Sequence, residues 1–198
     1  MDRRSALKKT GLLAGAAVAM PSILSILQAC KSEPRLNWQP EFVTIDEAQT
    51  IASLVDIMLP RTDTPGALDV NVDVFIDRII AQTYDAAGQE NMRSEIAAFN
   101  LDCKQNFGEI FINLDNDKRI EVLKIMEKTS GRFNPSVWGK TIGVQEPVGF
   151  YRSLKSTAIW AYSTSEEIGE KVLSYLPVPG TYEGCIPVSE VGNKWSLG

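Results

Sequence analysis

The amino-acid sequence predicts an all-α fold: a single compact helical domain of about six helices with an irregular C-terminal tail rich in proline and glycine. Apolar residues recur at helical spacing in successive segments, and proline or glycine separates these segments. No stretch shows the sustained alternation of a β-strand. Residues 44–198 carry this pattern, and they are numerous enough to bury a core without a metal or a dense set of disulfides.

The first predicted helix begins after Thr44 and ends before Pro60. Thr44 followed by Glu47 is the pattern of a capping box, in which each side chain accepts a hydrogen bond from the other residue's backbone N–H. Apolar residues then follow at helical spacing: Ala48, Ile51, Leu54, Val55 and Met58. Pro60 ends the helix because it has no N–H to donate and its ring crowds the preceding turn.

Three more helices are predicted between residues 72 and 129. The second helix has the clearest amphipathic pattern: Val72, Phe75, Ile76, Ile79 and Ile80. The third covers residues 90–107 and places Cys103 on its apolar face, so this cysteine is expected to act as a small buried hydrophobic residue. The fourth covers residues 116–129, with Gly131 expected as its C-cap.

Two helices and a tail complete the predicted domain. The fifth helix is expected to run from about Pro147, since proline is favoured in a first helical turn, to Tyr162. Thr164 and Glu167 predict a second capping box at the start of the sixth helix. From Pro177 onward proline and glycine recur, which predicts an irregular tail.

Residues 1–29 have the order of a secretory signal, in which a basic stretch precedes an uncharged segment and polar sequence follows. Four residues match the consensus of a twin-arginine signal: Arg3, Arg4, Leu7 and Lys8. The protein is therefore expected to be exported in a folded state and to reside in the periplasm. The alternative is an uncleaved membrane helix, which the glycines and the proline of the apolar segment disfavour.

A lipobox-like sequence closes this leader. Leu27-Gln28-Ala29 precedes Cys30 at the point where the apolar run stops, so Cys30 is expected to be lipidated and to anchor the protein to a membrane. The alternative is an ordinary signal peptidase site beside an incidental thiol. Residues 30–43, which include Pro34 and Pro40, are interpreted as a spacer, and residues 44–198 as the folded domain.

Composition excludes several function classes. Without the four bases and one acid of the leader, the 20 bases and 25 acids of the chain become 16 and 24, a net charge of −8 that disfavours nucleic-acid binding. The chain has no histidine, and its three cysteines are widely separated, so no metal site is expected. No nucleotide, flavin or common hydrolase motif is present, so no cofactor is expected on this chain.

The residues that remain allow two interpretations each. Asp63 lies between Thr62 and Thr64, where an enzymatic base is less expected than a set of side chains that cap a turn. The acidic pairs at residues 46–47 and 166–167 fit first helical turns, where the helix dipole favours negative charge. Aromatic residues of the last third are assigned either to the core or to a partner-binding patch: Trp138, Trp160, Tyr162, Tyr175, Tyr182 and Trp195.

Two segments resemble a known family. The first contains LPRTDTPGA at residues 59–67 followed by VFID at 74–77. The second contains FYRSLK at 150–155, YSTSE at 162–166 and YLPVPGTYEGC at 175–185. Both are similar to the gluconate 2-dehydrogenase subunit 3 family, whose members are small subunits of membrane-associated, FAD-dependent sugar and sugar-acid dehydrogenases.

This resemblance implies a division of labour between subunits. The large subunit holds the FAD and performs the oxidation, a cytochrome c or another acceptor takes the electrons, and the small subunit escorts the large one through export. The chain would then have no catalytic residues of its own. The alternatives are an independent helical periplasmic binding lipoprotein and, less favoured, an enzyme that uses the Asp63 loop or Glu166.

The segments that carry the resemblance also predict where the large subunit binds. The loop at residues 60–67 and the tail at residues 175–185 are not needed for the core, and both are rich in proline and glycine. The expected interface residues are Pro60, Thr62, Asp63, Pro65, Tyr175, Pro179, Tyr182 and Cys185. In an oxidising compartment Cys185 is expected to form a disulfide with the large subunit, or alternatively with Cys103.

Overall fold

The structure is a computed structural model and describes residues 36, 38–133, 136–137, 140–144, 148–178, 180–181 and 184–196. The predicted leader, Cys30, Trp138, Pro147, Pro179 and Tyr182 lie outside the described residues. The described helices are α1 (Ile45–Met58), α2 (Val72–Thr83), α3 (Ala86–Phe107), α4 (Asn116–Thr129), α5 (Phe150–Thr164), α6 (Glu166–Lys171) and α7 (Val188–Val191). A 3₁₀ turn at Phe111–Asn113 precedes α4.

The all-α prediction is confirmed. Between α4 and α5 two strands of two residues each, β1 (Ser136–Val137) and β2 (Lys140–Thr141), pair antiparallel and form a small hairpin. None of the described helices is both long and apolar enough to cross a lipid bilayer.

Helix α1 is the central element. Residues 51–55 are all buried, and five consecutive helical positions cover every side of a helix that has 3.6 residues per turn. Helices α2, α3 and α5 pack around it, and α5 also contacts α2, α3 and α4. At its start Thr44 and Glu47 form the predicted capping box, in which the Glu47 carboxylate accepts from Thr44 N at 2.8 Å.

Two predicted helix ends are corrected. Helix α3 begins at Ala86, four residues before the predicted start, because Asp85 caps it by accepting a hydrogen bond from Gly88 N at 2.8 Å. Helix α4 has the predicted bounds, but its C-cap is Ser130 in an extended conformation. Gly131 is therefore not the left-handed C-cap that was expected, because the chain already leaves the helix at Ser130.

The junction between α5 and α6 also differs from the prediction. Thr164 is the last residue of α5, and its hydroxyl donates to the Trp160 carbonyl at 2.8 Å, so the predicted Thr164–Glu167 capping box is wrong. Only Ser165 separates the two helices. The tail is irregular as predicted except for α7, and a bridge between Ser174 and Trp195 returns its end to the region that follows α6.

A buried carboxylate fixes the segment before α1. Asp77 in α2 is 1% exposed, and its two oxygens accept hydrogen bonds from three successive backbone N–H groups: Glu41 at 2.7 Å, Phe42 at 3.2 Å and Val43 at 2.9 Å. A carboxylate that accepts several backbone hydrogen bonds can remain buried at low cost. This contact holds the bend at residues 41–43 against α2 before the first helix begins.

Two further contacts secure the same segment. The Trp38 indole N–H donates to Asp73 at 2.9 Å, and burial raises the pKa of Asp73 although this hydrogen bond opposes the shift. The Arg93 guanidinium donates to the Phe42 carbonyl at 2.9 Å and lies 4.3 Å from the centroid of its ring. The residues from Trp38 onward, expected as part of a spacer, therefore belong to the packed domain.

Candidate functional site

The loop that follows α1 is exposed at residues 60–63, but its end is buried: Ala67 belongs to the core, so the expectation that the core does not need this loop is wrong at that residue. Ala67 N donates to the Leu59 carbonyl at 2.8 Å, which closes the loop at its base. Pro60, Thr62 and Asp63 are exposed. Because the closure is made by backbone groups, the loop presents these side chains from a fixed frame.

Asp69, not Asp63, organises this loop. The Asp69 carboxylate accepts from Gly66 N at 2.8 Å and pairs with the Arg61 guanidinium at 3.1 Å. A side chain at Gly66 would place its Cβ 2.6 Å from Arg61 N, so only glycine fits at this position. Thr62 Oγ1 accepts from Thr64 N at 3.4 Å, as the turn-capping interpretation expects, but no described residue donates to Asp63. Asp63 is thus an exposed carboxylate that the loop does not use.

The electrostatic setting of Asp69 extends to the end of α1. Burial raises the pKa of Asp56, and the charge of Asp69 adds to this shift, while Arg119 opposes it. In the described residues no group of three or more cysteine or acidic side chains is arranged to hold a metal ion. The acidic side chains here therefore form a charged surface without the geometry of a metal centre.

The loop is joined to α5 by one hydrogen bond. The Tyr162 hydroxyl donates to the Pro65 carbonyl at 2.7 Å. Tyr162 is partly buried against the core, so the core interpretation of this aromatic residue is the right one. Pro65 and Tyr162 are 97 positions apart in the sequence, so this bond joins the two segments that resemble the family, residues 59–77 and 150–185.

The tail after α6 exposes a row of apolar side chains. Tyr175, Leu176 and Val178 are exposed, and Val178 reaches 80% exposure. Ser174 holds the base of the tail, because its N–H donates to the Lys194 carbonyl at 2.9 Å and its carbonyl accepts from Ser196 N at 3.0 Å. The interface role predicted for Tyr175 therefore agrees with its exposure.

The two cysteines that the structure describes differ in burial. Cys103 is buried and Cys185 is exposed, and both are free thiols. Burial raises the pKa of Cys103 to about 11, and the charge of Asp102 adds to the shift. Because the thiolate is the reactive form, Cys103 is expected to be inert and Cys185 to be the thiol available to a partner.

A charged cluster between α4 and α5 was not predicted from the sequence. The Glu127 carboxylate receives Lys155 Nζ at 2.6 Å and the Arg152 guanidinium at 3.4 Å. The Tyr151 hydroxyl also hydrogen-bonds to Glu127, and burial together with this contact raises the pKa of Tyr151 to about 12. The segment at residues 150–155 was singled out, but nothing in the sequence indicated Glu127 as its partner.

The remaining aromatic residues and acids lie at the surface. Trp160 is 53% exposed, and Trp195 and Tyr175 are also exposed, which favours the partner-patch interpretation for these three. Glu166 and Glu167 lie in the first turn of α6, as expected. Glu166 forms no ion pair with any described residue.

Comparison with protein families identifies a match over most of the folded domain. A family model described as gluconate 2-dehydrogenase subunit 3 matches residues 45–180. No curated protein and no solved structure matches the chain. The matched region begins at the first residue of α1, includes the loop with Pro65 and Tyr162 beneath it, and ends within the tail.

Proposed function

Because the chain belongs to the gluconate 2-dehydrogenase subunit 3 family, we propose that it is a non-catalytic small subunit that binds an FAD-dependent sugar or sugar-acid dehydrogenase. Family membership makes it an accessory subunit of a dehydrogenase complex. The flavin and the oxidation chemistry belong to the large subunit in this proposal. The match over residues 45–180 is the observation that carries it, since it spans nearly the whole folded domain.

The proposed role is that of an escort. The large subunit folds and takes up FAD in the cytoplasm, docks on this chain, and crosses the membrane with it. The export signal is the one at Arg3, Arg4, Leu7 and Lys8. The twin-arginine pathway accepts folded cargo, so one signal is enough for two chains that are already assembled.

Two features of the described residues support binding to a large partner. The loop at residues 60–67 is exposed yet held by Asp69 and Tyr162, so little conformational entropy is lost when it is bound. The tail exposes apolar side chains, including Tyr175, that water does not favour. Both segments lie within or at the edge of the family match.

Membrane mooring is a separate part of the proposal. Cys30 would carry the lipid, and residues 31–35 would connect it to the domain, whose core contacts already include Leu36. The reduced flavin of the large subunit would then deliver electrons to a cytochrome c or another acceptor at the same membrane. This part depends on the lipobox-like sequence and not on the family.

The escort role is tested by expressing the large subunit with and without this chain and assaying its location. The large subunit should reach the periplasm only in the presence of this chain. Replacing Arg3 and Arg4 by lysine should retain both chains in the cytoplasm, because the guanidinium pair and not charge alone is recognised. Export of the large subunit without this chain would contradict the proposal.

The anchor is tested by fractionation of a Cys30→Ser variant. The variant should be soluble in the periplasm, whereas the unaltered protein should need detergent for its release. The matched control is Cys185→Ser, which leaves the lipobox-like sequence intact. If the Cys30 variant and the unaltered protein fractionate alike, the anchor is wrong.

A further inference from the structure

A groove runs along the exposed side of α2 where this helix meets the junction of α5 and α6. Its apolar half has a volume of about 260 Å³, and Val70, Val74, Phe75 and Ala161 contribute to its lining. Arg78 also lines this half, and its guanidinium pairs with Glu41 at 3.3 Å. The second half, about 320 Å³, shares Val70, Asn71 and Ser165 with the first and is otherwise polar. The two halves therefore form one continuous surface feature.

Phe75 lines the apolar half, and Trp160 contacts its ring from outside the lining. The rings of Phe75 and Trp160 meet edge to face with their centroids 5.3 Å apart. Trp160 remains 53% exposed, so much of this large side chain contacts water in the isolated chain. Aromatic residues with this exposure are enriched at the energetic centres of protein interfaces.

The other half of the groove is acidic. Three carboxylates, those of Asp69, Glu166 and Glu167, line it together with a single ammonium group, that of Lys171. Lys171 pairs with Glu167 at 3.8 Å, and Asp69 pairs with Arg61. Glu166 forms no ion pair with a described residue, so the groove keeps a negative charge that a basic side chain can neutralise.

The groove is continuous with the loop at residues 60–67. Asp69 lines the groove and also holds Gly66 N and Arg61 of the loop. Tyr162, which donates to Pro65, directly follows the groove residue Ala161 in α5. A partner that covers the loop would therefore also reach the groove.

We propose that this groove is the principal docking site for the large subunit and takes a segment with an apolar side chain adjacent to lysine or arginine. This inference rests on the proposed function. The apolar side chain occupies the half beside Phe75 and Trp160, and the basic residue faces Glu166 and Glu167. The apolar half supplies affinity, and the acidic half fixes the orientation and accelerates association.

The test measures the affinity of the purified large subunit for Trp160→Ala, with Ile159→Ala as the matched control. Ile159 is the preceding residue and is 47% exposed. Trp160 contacts the groove residue Phe75 through its ring, whereas the aliphatic Ile159 has no ring to make this contact. Trp160→Ala should weaken binding by about tenfold or more, while the control should bind as the unaltered chain does. Equal affinity of Trp160→Ala and the unaltered chain would overturn the proposal.

A charge reversal provides a second test that does not alter the apolar half. Glu166→Lys should slow association and reduce its dependence on salt, whereas Glu170→Lys, in the same helix but outside the groove, should change little. If Trp160→Ala does not fold, the comparison of Glu166→Lys with Glu170→Lys tests the proposal by itself. Equal association rates for these two variants would overturn the proposal.

The outcomes separate this inference from the proposed function. Failure of the unaltered chain to bind any large subunit would contradict the proposed function itself. Normal binding by both groove variants would leave the proposed function standing and remove only the docking site. Dimerisation of the isolated chain that Trp160→Ala abolishes would assign the groove to a second copy and would also overturn the inference.

Discussion

The hydroxyl of Tyr162 donates a hydrogen bond of 2.7 Å to the carbonyl of Pro65, and this bond ties the loop after α1 to helix α5. The other hydrogen bonds described for this loop are local, since Asp69 and the Ala67–Leu59 backbone pair lie within ten residues of one another. The Tyr162 contact therefore adds a tie to a distant helix, and the buried side chain of Ala67 anchors the end of the loop in the core.

Tyr162→Phe should lower the free energy of unfolding by about 1 kcal/mol, because the Pro65 carbonyl loses its partner while the ring keeps its packing. Urea denaturation followed by circular dichroism measures this change. Tyr84→Phe is the matched control, since Tyr84 is exposed and its hydroxyl has no hydrogen bond among the described residues. Equal stability of the Tyr162 variant and the unaltered protein would show that the bond does not hold the loop.

Asp77→Asn should destabilise the domain by about 2 kcal/mol, because the amide group that replaces one oxygen faces the N–H of Glu41 and leaves it unpaired. Chymotrypsin should also cleave the variant more rapidly after Phe42, since this segment is no longer fixed by Asp77. Asp63→Asn, at an exposed position, is the control. A change below about 0.5 kcal/mol in the Asp77 variant would contradict the structural role of this carboxylate.

Local signals predicted much of this fold, and contacts distant in sequence were the part that could not be predicted. The Thr44–Glu47 capping box was predicted because all its atoms belong to one turn. Thr164 failed as a cap because the same residue type can end α5 by bonding to the Trp160 carbonyl, and the sequence does not distinguish these outcomes. The burial of Asp77 could not be predicted, because it depends on backbone N–H groups of residues 41–43, which lie 34 to 36 positions away in the sequence.

The candidate site also combines features that local sequence predicts with features that depend on contacts between distant segments. The loop at residues 60–67 and the exposed Tyr175 were predicted because proline, glycine and aromatic residues mark surface segments. The groove beside Phe75 could not be predicted. Its walls come from α2 and from the α5–α6 junction, which are about 90 positions apart in the sequence, and only the packing of these helices creates it.

The stability of the domain should depend on pH through Glu127. The hydrogen bond from Lys155, aided by Tyr151 and by the charge of Arg152, holds the pKa of Glu127 below its ordinary value. A lowered carboxyl pKa stabilises the fold fully above the unfolded-state pKa of about 4.3, and this stabilisation is lost as the pH falls through the folded-state pKa. Glu127→Gln should therefore be less stable than the unaltered protein at pH 7.

The difference in stability between Glu127→Gln and the unaltered protein should be smaller at pH 3, where the Glu127 carboxyl group becomes protonated. The midpoints of urea denaturation of both proteins at pH 7 and pH 3 measure this difference in stability. Glu170→Gln removes an exposed carboxylate that forms no ion pair with a described residue and serves as the control. A difference of the same size at both pH values would rule out an ionic contribution from Glu127.

Cys185 should be the reactive thiol of the folded domain. In the native protein iodoacetamide should label Cys185 rapidly and Cys103 only after unfolding, because Cys103 is buried and its pKa is about 11. Mass spectrometry of the tryptic peptides measures both rates. Labelling of Cys103 as fast as Cys185 would contradict the packing of α3.

The same accessibility predicts a disulfide between Cys185 and the large subunit in the oxidised complex. A non-reducing gel should show one band at the combined mass, and Cys185→Ser should restore two separate bands. Cys103→Ser should leave the combined band unchanged. Separate bands from the unaltered complex would count against the bond.

The proposed accessory role is tested most directly by the absorption spectrum of the exported protein after purification through a tag on this chain. The proposal predicts a yellow complex with a much larger FAD-binding chain that reduces a dye when a sugar or sugar acid is added. A colourless single chain from cells that also express the large subunit would contradict it.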